Sequence, residues 1–184
     1  MKDYKNLLNS ITSSGLVTML LFSIIIISGC TSTSAESVAE KAAQAYVDGN
    51  VSAYYQLLAP GYVDYIVGDD GWYSTAVEFQ EDVIQEDIDE LKDNFIKRCS
   101  ENYSVRISVS NVVPCEDEAM LKQVQKELIQ DYNYEEGDIS AVTQVEIKFR
   151  CTGNDTGGDI YHTYYCVKEK GNWYIHRPDI NSFS

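Results

Sequence analysis

The spacing of apolar residues changes near Cys99, and that change restricts the fold more than any other feature of the chain. Over residues 75–99, Val77, Ile84, Ile88, Leu91, Phe95 and Cys99 stand 7, 4, 3, 4 and 4 positions apart, which predicts one apolar stripe along a helix of about six turns. Beyond it, Tyr103, Val105, Ile107 and Val109 alternate with Ser104, Arg106, Ser108 and Ser110, the period of a strand with one buried face. Helices first and a meander of strands last predict an α+β chain, not the βα alternation that builds a parallel sheet.

The remaining elements follow from local chemistry. Thr33-x-x-Glu36 and Ser37-x-x-Glu40 read as capping boxes before a helix whose face is Val38, Ala42, Ala45 and Tyr46, with Gly49 as its left-handed cap. A second helix over 52–58 is expected to stop at Pro60-Gly61, and residues 68–73 read as a loop. A helix over 116–131 is predicted to turn Met120, Leu121, Val124, Leu128 and Ile129 inward. Val145, Ile147, Phe149 and Cys151 mark a second strand, 160–168 a third and 173–176 a fourth, separated by turns in 154–159 and at Lys170-Gly171-Asn172. Trp173 is expected to be mostly buried against the N-terminal helices.

At the N-terminus, Lys2 and Lys5 precede an apolar centre at 16–27, and Ile27-Ser28-Gly29-Cys30 follows as a lipobox. Twelve residues fall short of the roughly 20 needed to span a bilayer as a helix, so the segment reads as a signal. The pattern resembles bacterial lipoprotein precursors, which implies a diacylglyceryl thioether on Cys30 and cleavage before it. Thr31-Ser32-Thr33-Ser34 then forms a short polar tether. The expected organisation is a signal peptide at 1–29, a lipidated tether at 30–34 and one domain over 35–184. The expected address is the extracytoplasmic face of the cell membrane.

Without residues 1–29 the chain keeps 12 basic and 28 acidic residues, a net charge of −16. Such a surface repels phosphate backbones and anionic lipid, which argues against nucleic-acid binding and against charge-driven membrane attachment. Glu78, Glu81, Asp82, Glu86, Asp89, Glu90 and Asp93 read as the solvated face of the long helix, because no Asp-x-Asp-x-Asp-Gly calcium loop occurs.

Residues able to carry chemistry are few. His162, His176, Tyr161, Tyr165 and the aspartates between Asp64 and Asp70 are the acid–base candidates, but no nucleophile elbow, phosphate loop or zinc spacing accompanies them. No catalytic residue, metal or cofactor is therefore assigned. The chain is rich in tyrosine, and Tyr55, Trp72, Tyr73, Tyr161 and Tyr165 are the candidate ligand-binding rings, since such side chains bury area while keeping a polar handle. Among the cysteines that remain, a strand over 103–113 would hold Cys99 and Cys115 too far apart to bridge. A hairpin turn at Gly158-Asp159 would set Cys151 opposite Cys166, and other registers would separate them.

The segment Ala45-Tyr46-Val47-Asp48-Gly49-Asn50-Val51-Ser52-Ala53-Tyr54-Tyr55-Gln56-Leu57-Leu58-Ala59-Pro60, together with Lys168-Glu169-Lys170-Gly171-Asn172-Trp173-Tyr174-Ile175, resembles the nuclear-transport-factor-2-like superfamily, particularly its small bacterial lipoprotein branches of unknown function. The resemblance implies helices packed on a curved antiparallel sheet, a cystatin-like cone whose open end holds small molecules. The helix at 116–131 departs from the minimal pattern of that family. The expected function is a non-catalytic binding or interaction module for an envelope protein, a peptide or a glycan, attached to the membrane through its N-terminal lipid. The alternatives are a pocket enzyme of the isomerase or dehydratase kind and a structural accessory of an envelope complex.

Overall fold

The structure is a computed structural model that describes residues 34–183 except 133 and 154–155. The signal segment, Cys30 and most of the tether lie outside the described residues. The first helix, α1 (Ala35–Asp48), is capped by Ser34, whose hydroxyl accepts from the Ser37 amide, so neither Thr33 nor Ser37 is the cap. Gly49 closes it at φ 66°, the left-handed region a glycine enters without penalty.

Two short helices follow, α2 (Val51–Tyr55) and α3 (Pro60–Ile66). Pro60 starts a helix instead of stopping one. At the first helical position its missing N–H costs nothing and its fixed φ already suits the helix. Between these helices, Leu57 and Ala59 exchange backbone hydrogen bonds with Ile175 at 2.8 Å each, so the connector lies as a parallel bridge along the last strand.

The long helical run consists of α4 (Ala76–Phe79), a π-helical turn at Gln80–Ile84 and α5 (Gln85–Cys99). The π turn shifts the predicted stripe. A π turn brings residues five apart onto one face, so Phe79 joins Ile84, Ile88, Phe95 and Cys99 in the core while Val77 is 60% exposed.

The sheet is antiparallel in the order β1 (Ser104–Pro114), β2 (Ile139–Gly153), β3 (Thr156–Glu169), β4 (Asn172–His176), with α6 (Glu118–Tyr132) between the first two strands. On α6, Val124 and Leu128 are buried, but Met120 is 40% exposed. Lys170 and Gly171 both have positive φ and form the two-residue turn into β4, the geometry that matches strand twist.

One face of the sheet carries Val145, Ile147, Phe149 and Cys151, all fully buried, and α1 lies across it on Ala39, Ala42 and Ala43. Small side chains let that helix approach the strands closely. The opposite face is also covered towards β4, where Val142, Val167 and His176 are buried and Tyr165 packs on Phe183 at 6.3 Å.

The cysteine pairing that the sequence left open is settled: Cys99 is bonded to Cys151, with Cα atoms 6.3 Å apart, while Cys115 and Cys166 are free. Two expectations need correction. Because Gly153 pairs with Thr156, the strands reverse four residues earlier than a turn at Gly158-Asp159 would require, so Cys151 faces Gly158 and Cys166 faces Thr143. Trp173 is half-buried, since it stands at the turn end of a five-residue edge strand opposite Lys168.

Candidate functional site

Two clefts converge on Arg177, which follows β4. The larger, about 720 Å³, is walled by aromatic rings from four stretches of chain. Tyr62, Tyr65 and Ile66 occupy one side of α3 at helical spacing, and Phe79 and Val83 come from α4 and the π turn. Tyr132 ends α6, beside Gln130 and Asp131. Its ring meets Tyr65 at 5.5 Å and Tyr62 at 6.2 Å, edge-on in both cases.

Trp72 and Tyr73 reach this cleft through a tight loop. Gly68 adopts φ 141°, and a side chain on Gly71 would lie 2.7 Å from the Ile66 carbonyl oxygen, so the loop closes only with glycine there. The closure is held by Tyr73 N–H donating to Ile66 O at 3.0 Å and Gly68 N–H to Tyr73 O at 2.9 Å. Tyr73 then packs on Phe79 at 5.3 Å, and Trp72 is left 80% exposed.

The smaller cleft, about 400 Å³, lies where α1, α2 and α5 meet β3 and β4. At its centre Arg177 donates from Nη2 and Nε to one oxygen of Asp87, at 2.6 and 3.2 Å, and the Tyr46 hydroxyl donates to the same oxygen at 3.1 Å. Tyr46 stacks on Tyr54 at 4.2 Å. Burial, and the neighbouring Tyr54 and Asp87, push the Tyr46 hydroxyl pKa far up, and burial raises Tyr54 to about 12. Both remain neutral hydrogen-bonding groups at neutral pH. Burial opposes the charge of Arg177, but its bonds to Asp87 outweigh that and hold its pKa above the ordinary value. The Tyr164 hydroxyl is buried here without a partner.

The two histidines differ in enclosure. His162 lines the smaller cleft, beside Tyr164 at 4.5 Å and Tyr46 at 6.4 Å, on the sheet face covered by α1. Burial lowers its pKa, although the residue as a whole is exposed at the rim. His176 is fully enclosed by Tyr62, Tyr132 and Tyr134, and burial pulls its pKa down to about 4. Its Nδ1 lies 3.1 Å from the Pro178 carbonyl oxygen, and its Nε2 has no partner. Among the described residues, neither imidazole forms an ion pair with a carboxylate, and no group of three metal-ligating side chains converges.

Of the candidate rings, Trp72 and Tyr73 line the larger cleft, and Tyr55 backs it through Phe79 at 6.1 Å. Tyr161 and Tyr165 do not join them. They sit on the sheet face opposite α1, Tyr161 exposed and Tyr165 buried under Phe183. Phe79, Asp131, Tyr132 and Arg177 complete the clefts without having been singled out in the sequence. The i, i+3, i+4 spacing of Tyr62, Tyr65 and Ile66 was a readable signal for α3, whereas Tyr132 and Arg177 arrive only through tertiary packing. Comparison with known protein families, with curated proteins and with solved structures found no match to this chain.

Proposed function

We propose that this chain is a lipid-anchored extracytoplasmic bacterial lipoprotein whose folded part, of nuclear-transport-factor-2-like architecture, is a non-catalytic binding module. The observation that carries the reading is the aromatic cleft, where an 80% exposed indole stands at the mouth of about 720 Å³ walled by tyrosine rings. An indole at the edge of a concave surface of aromatic rings presents, with them, contiguous apolar area that a bound molecule would cover. The lipobox supports the anchor. The antiparallel sheet with α1 across it is compatible with the proposed architecture, and α6 is an addition to it.

A second reading, a small-molecule enzyme of isomerase or dehydratase type, is favoured by one observation: the unpartnered Tyr164 hydroxyl in the cleft beside Asp87 and His162. A general base needs a titratable group held within hydrogen-bonding reach of its proton. Asp87 is engaged by Arg177 and Tyr46, and His162 lacks an orienting carboxylate among the described residues.

Two experiments test the proposal. Cys30→Ser is expected to abolish labelling with a fatty-acid analogue and to release the protein from the membrane fraction; unchanged labelling would refute lipidation at this position. Titration of the full chain with oligosaccharides and short peptides, followed by indole emission, is expected to give a response that disappears in Trp72→Ala. Turnover of a carbonyl substrate that depends on His162 would replace the binding reading with the enzymatic one.

A further inference from the structure

The cleft that carries the binding reading also has a charge preference. About 720 Å³ falls within the usual range of small-molecule sites, roughly 300–1,000 Å³. Tyr132 stands nearly perpendicular to Tyr65 and Tyr62, at 81° and 66°, so ring planes of different orientation converge on one space. An aromatic face carries negative quadrupole potential and attracts a cation within about 6 Å of its centre, with indole the strongest of the rings. Trp72 supplies an indole at the mouth that is 80% exposed.

The charge at the cleft is acidic on balance, because its one lining cation among the described residues is met by a carboxylate and a second carboxylate lines it. Among the described residues lining the cleft, Arg177 is the only cationic side chain, and its guanidinium is bound to Asp87 at 2.6 Å. The exposed carboxylate of Asp131 lines the cleft directly. Asp64, Asp69, Asp70 and Glu78 neighbour the lining residues in the chain and are exposed, though none of them lines the cleft itself. The chain as a whole has a net charge of −15, so its long-range field concentrates cations at its surface and repels anions. A neutral sugar would use the rings but gain nothing from this field, and an anion would meet Asp131 and an arginine already satisfied.

Resting on the binding-module reading and narrowing it, we propose that the cleft of Tyr65, Trp72 and Tyr132, with the buried Tyr62 beneath them, takes a small organic cation, a quaternary ammonium compound. The rings provide cation–π attraction, and Asp131 provides the counter-charge at the rim.

The test uses the full chain in an uncharged polyoxyethylene detergent, with choline as the probe, 3,3-dimethylbutan-1-ol as its neutral isostere and chitotriose as a neutral saccharide. Calorimetry is expected to show choline binding about tenfold more tightly than the isostere, equivalent to about 1.4 kcal/mol and between an exposed and a fully desolvated cation–π contact. Asp131→Asn should weaken choline several-fold, and Trp72→Ala should abolish its binding while leaving the melting temperature unchanged, because that side chain is largely outside the fold. Equal affinity for choline and its isostere, or an Asp131→Asn variant that binds choline as tightly as the parent, would overturn the proposal. Silence towards choline with Trp72-dependent binding of chitotriose or a peptide overturns the cation and leaves the binding module standing; silence towards every probe overturns both.

Discussion

His176 shows how the same residue type diverges with its surroundings. His176 is neutral in the folded state because burial lowers its pKa to about 4, whereas an unfolded chain restores it to the ordinary value near 6.5. Between those values the unfolded state binds a proton that the fold excludes. Stability is therefore lost as pH falls from about 6.5 to 4, by roughly 2 kcal/mol already at pH 5. Glu169 acts in the opposite sense: burial raises its pKa, so its contribution is lost as pH rises through the folded value. His176→Gln removes the titration while keeping a polar group near the Pro178 carbonyl. Chemical denaturation at pH 7 and pH 5 is expected to show a smaller stability loss in this variant than in the parent, and equal losses would show that His176 is not the group responsible. In the sequence His162 and His176 were equivalent candidates, because both faces of β3 and β4 mix polar and apolar residues. Only the placement of α6 and Tyr132 makes one enclosed and leaves the other at a rim.

Among the elements, the run from Ala76 to Cys99 was legible as helix, with Ile84, Ile88, Phe95 and Cys99 inward as their spacing requires. Its first turn was misread for a physical reason. Extrapolating a period of 3.6 from Ile84 leads back to Val77, but the π turn adds a residue and leads to Phe79, whose ring packs between Tyr55 and Tyr73. Nothing local in the sequence announces that bulge. Phe79→Ala is expected to cost about 3–5 kcal/mol, as for other buried aromatic truncations, while Val77→Ala should stay within roughly 0.5 kcal/mol. Urea denaturation midpoints decide between the two, and the reverse order would mean that an uninterrupted α-helix holds Val77 in the core. A similar limit applies to α6, where Met120 looked inward from its spacing but is exposed, while Val124 and Leu128 are buried and Leu121 and Ile129 pack against the core.

At the scale of the whole molecule, the Cys99–Cys151 bond ties the end of α5 to the end of β2, closing a sequence separation of 52 residues. A loop of that length restricts the unfolded chain by on the order of 4 kcal/mol. The Cys99→Ser, Cys151→Ser double variant should therefore melt well below the parent, and reductant should lower the parent alone; superimposable melting curves would assign the bond no stabilising role. By itself the sequence determined the α+β class, the succession of helices before strands apart from the short helix that Pro60 opens, the alternation that buries Val145 to Cys151, and the glycine cap at Gly49, because each depends on residues within a few positions of one another. The π turn, the pairing partner of Cys151, the covering of the second sheet face and the meeting of Trp72, Tyr132 and Arg177 were decided only in three dimensions. They join side chains up to 105 positions apart in the chain, and which of them touch depends on how helices and sheet pack, a property of the assembled core and not of any local pattern.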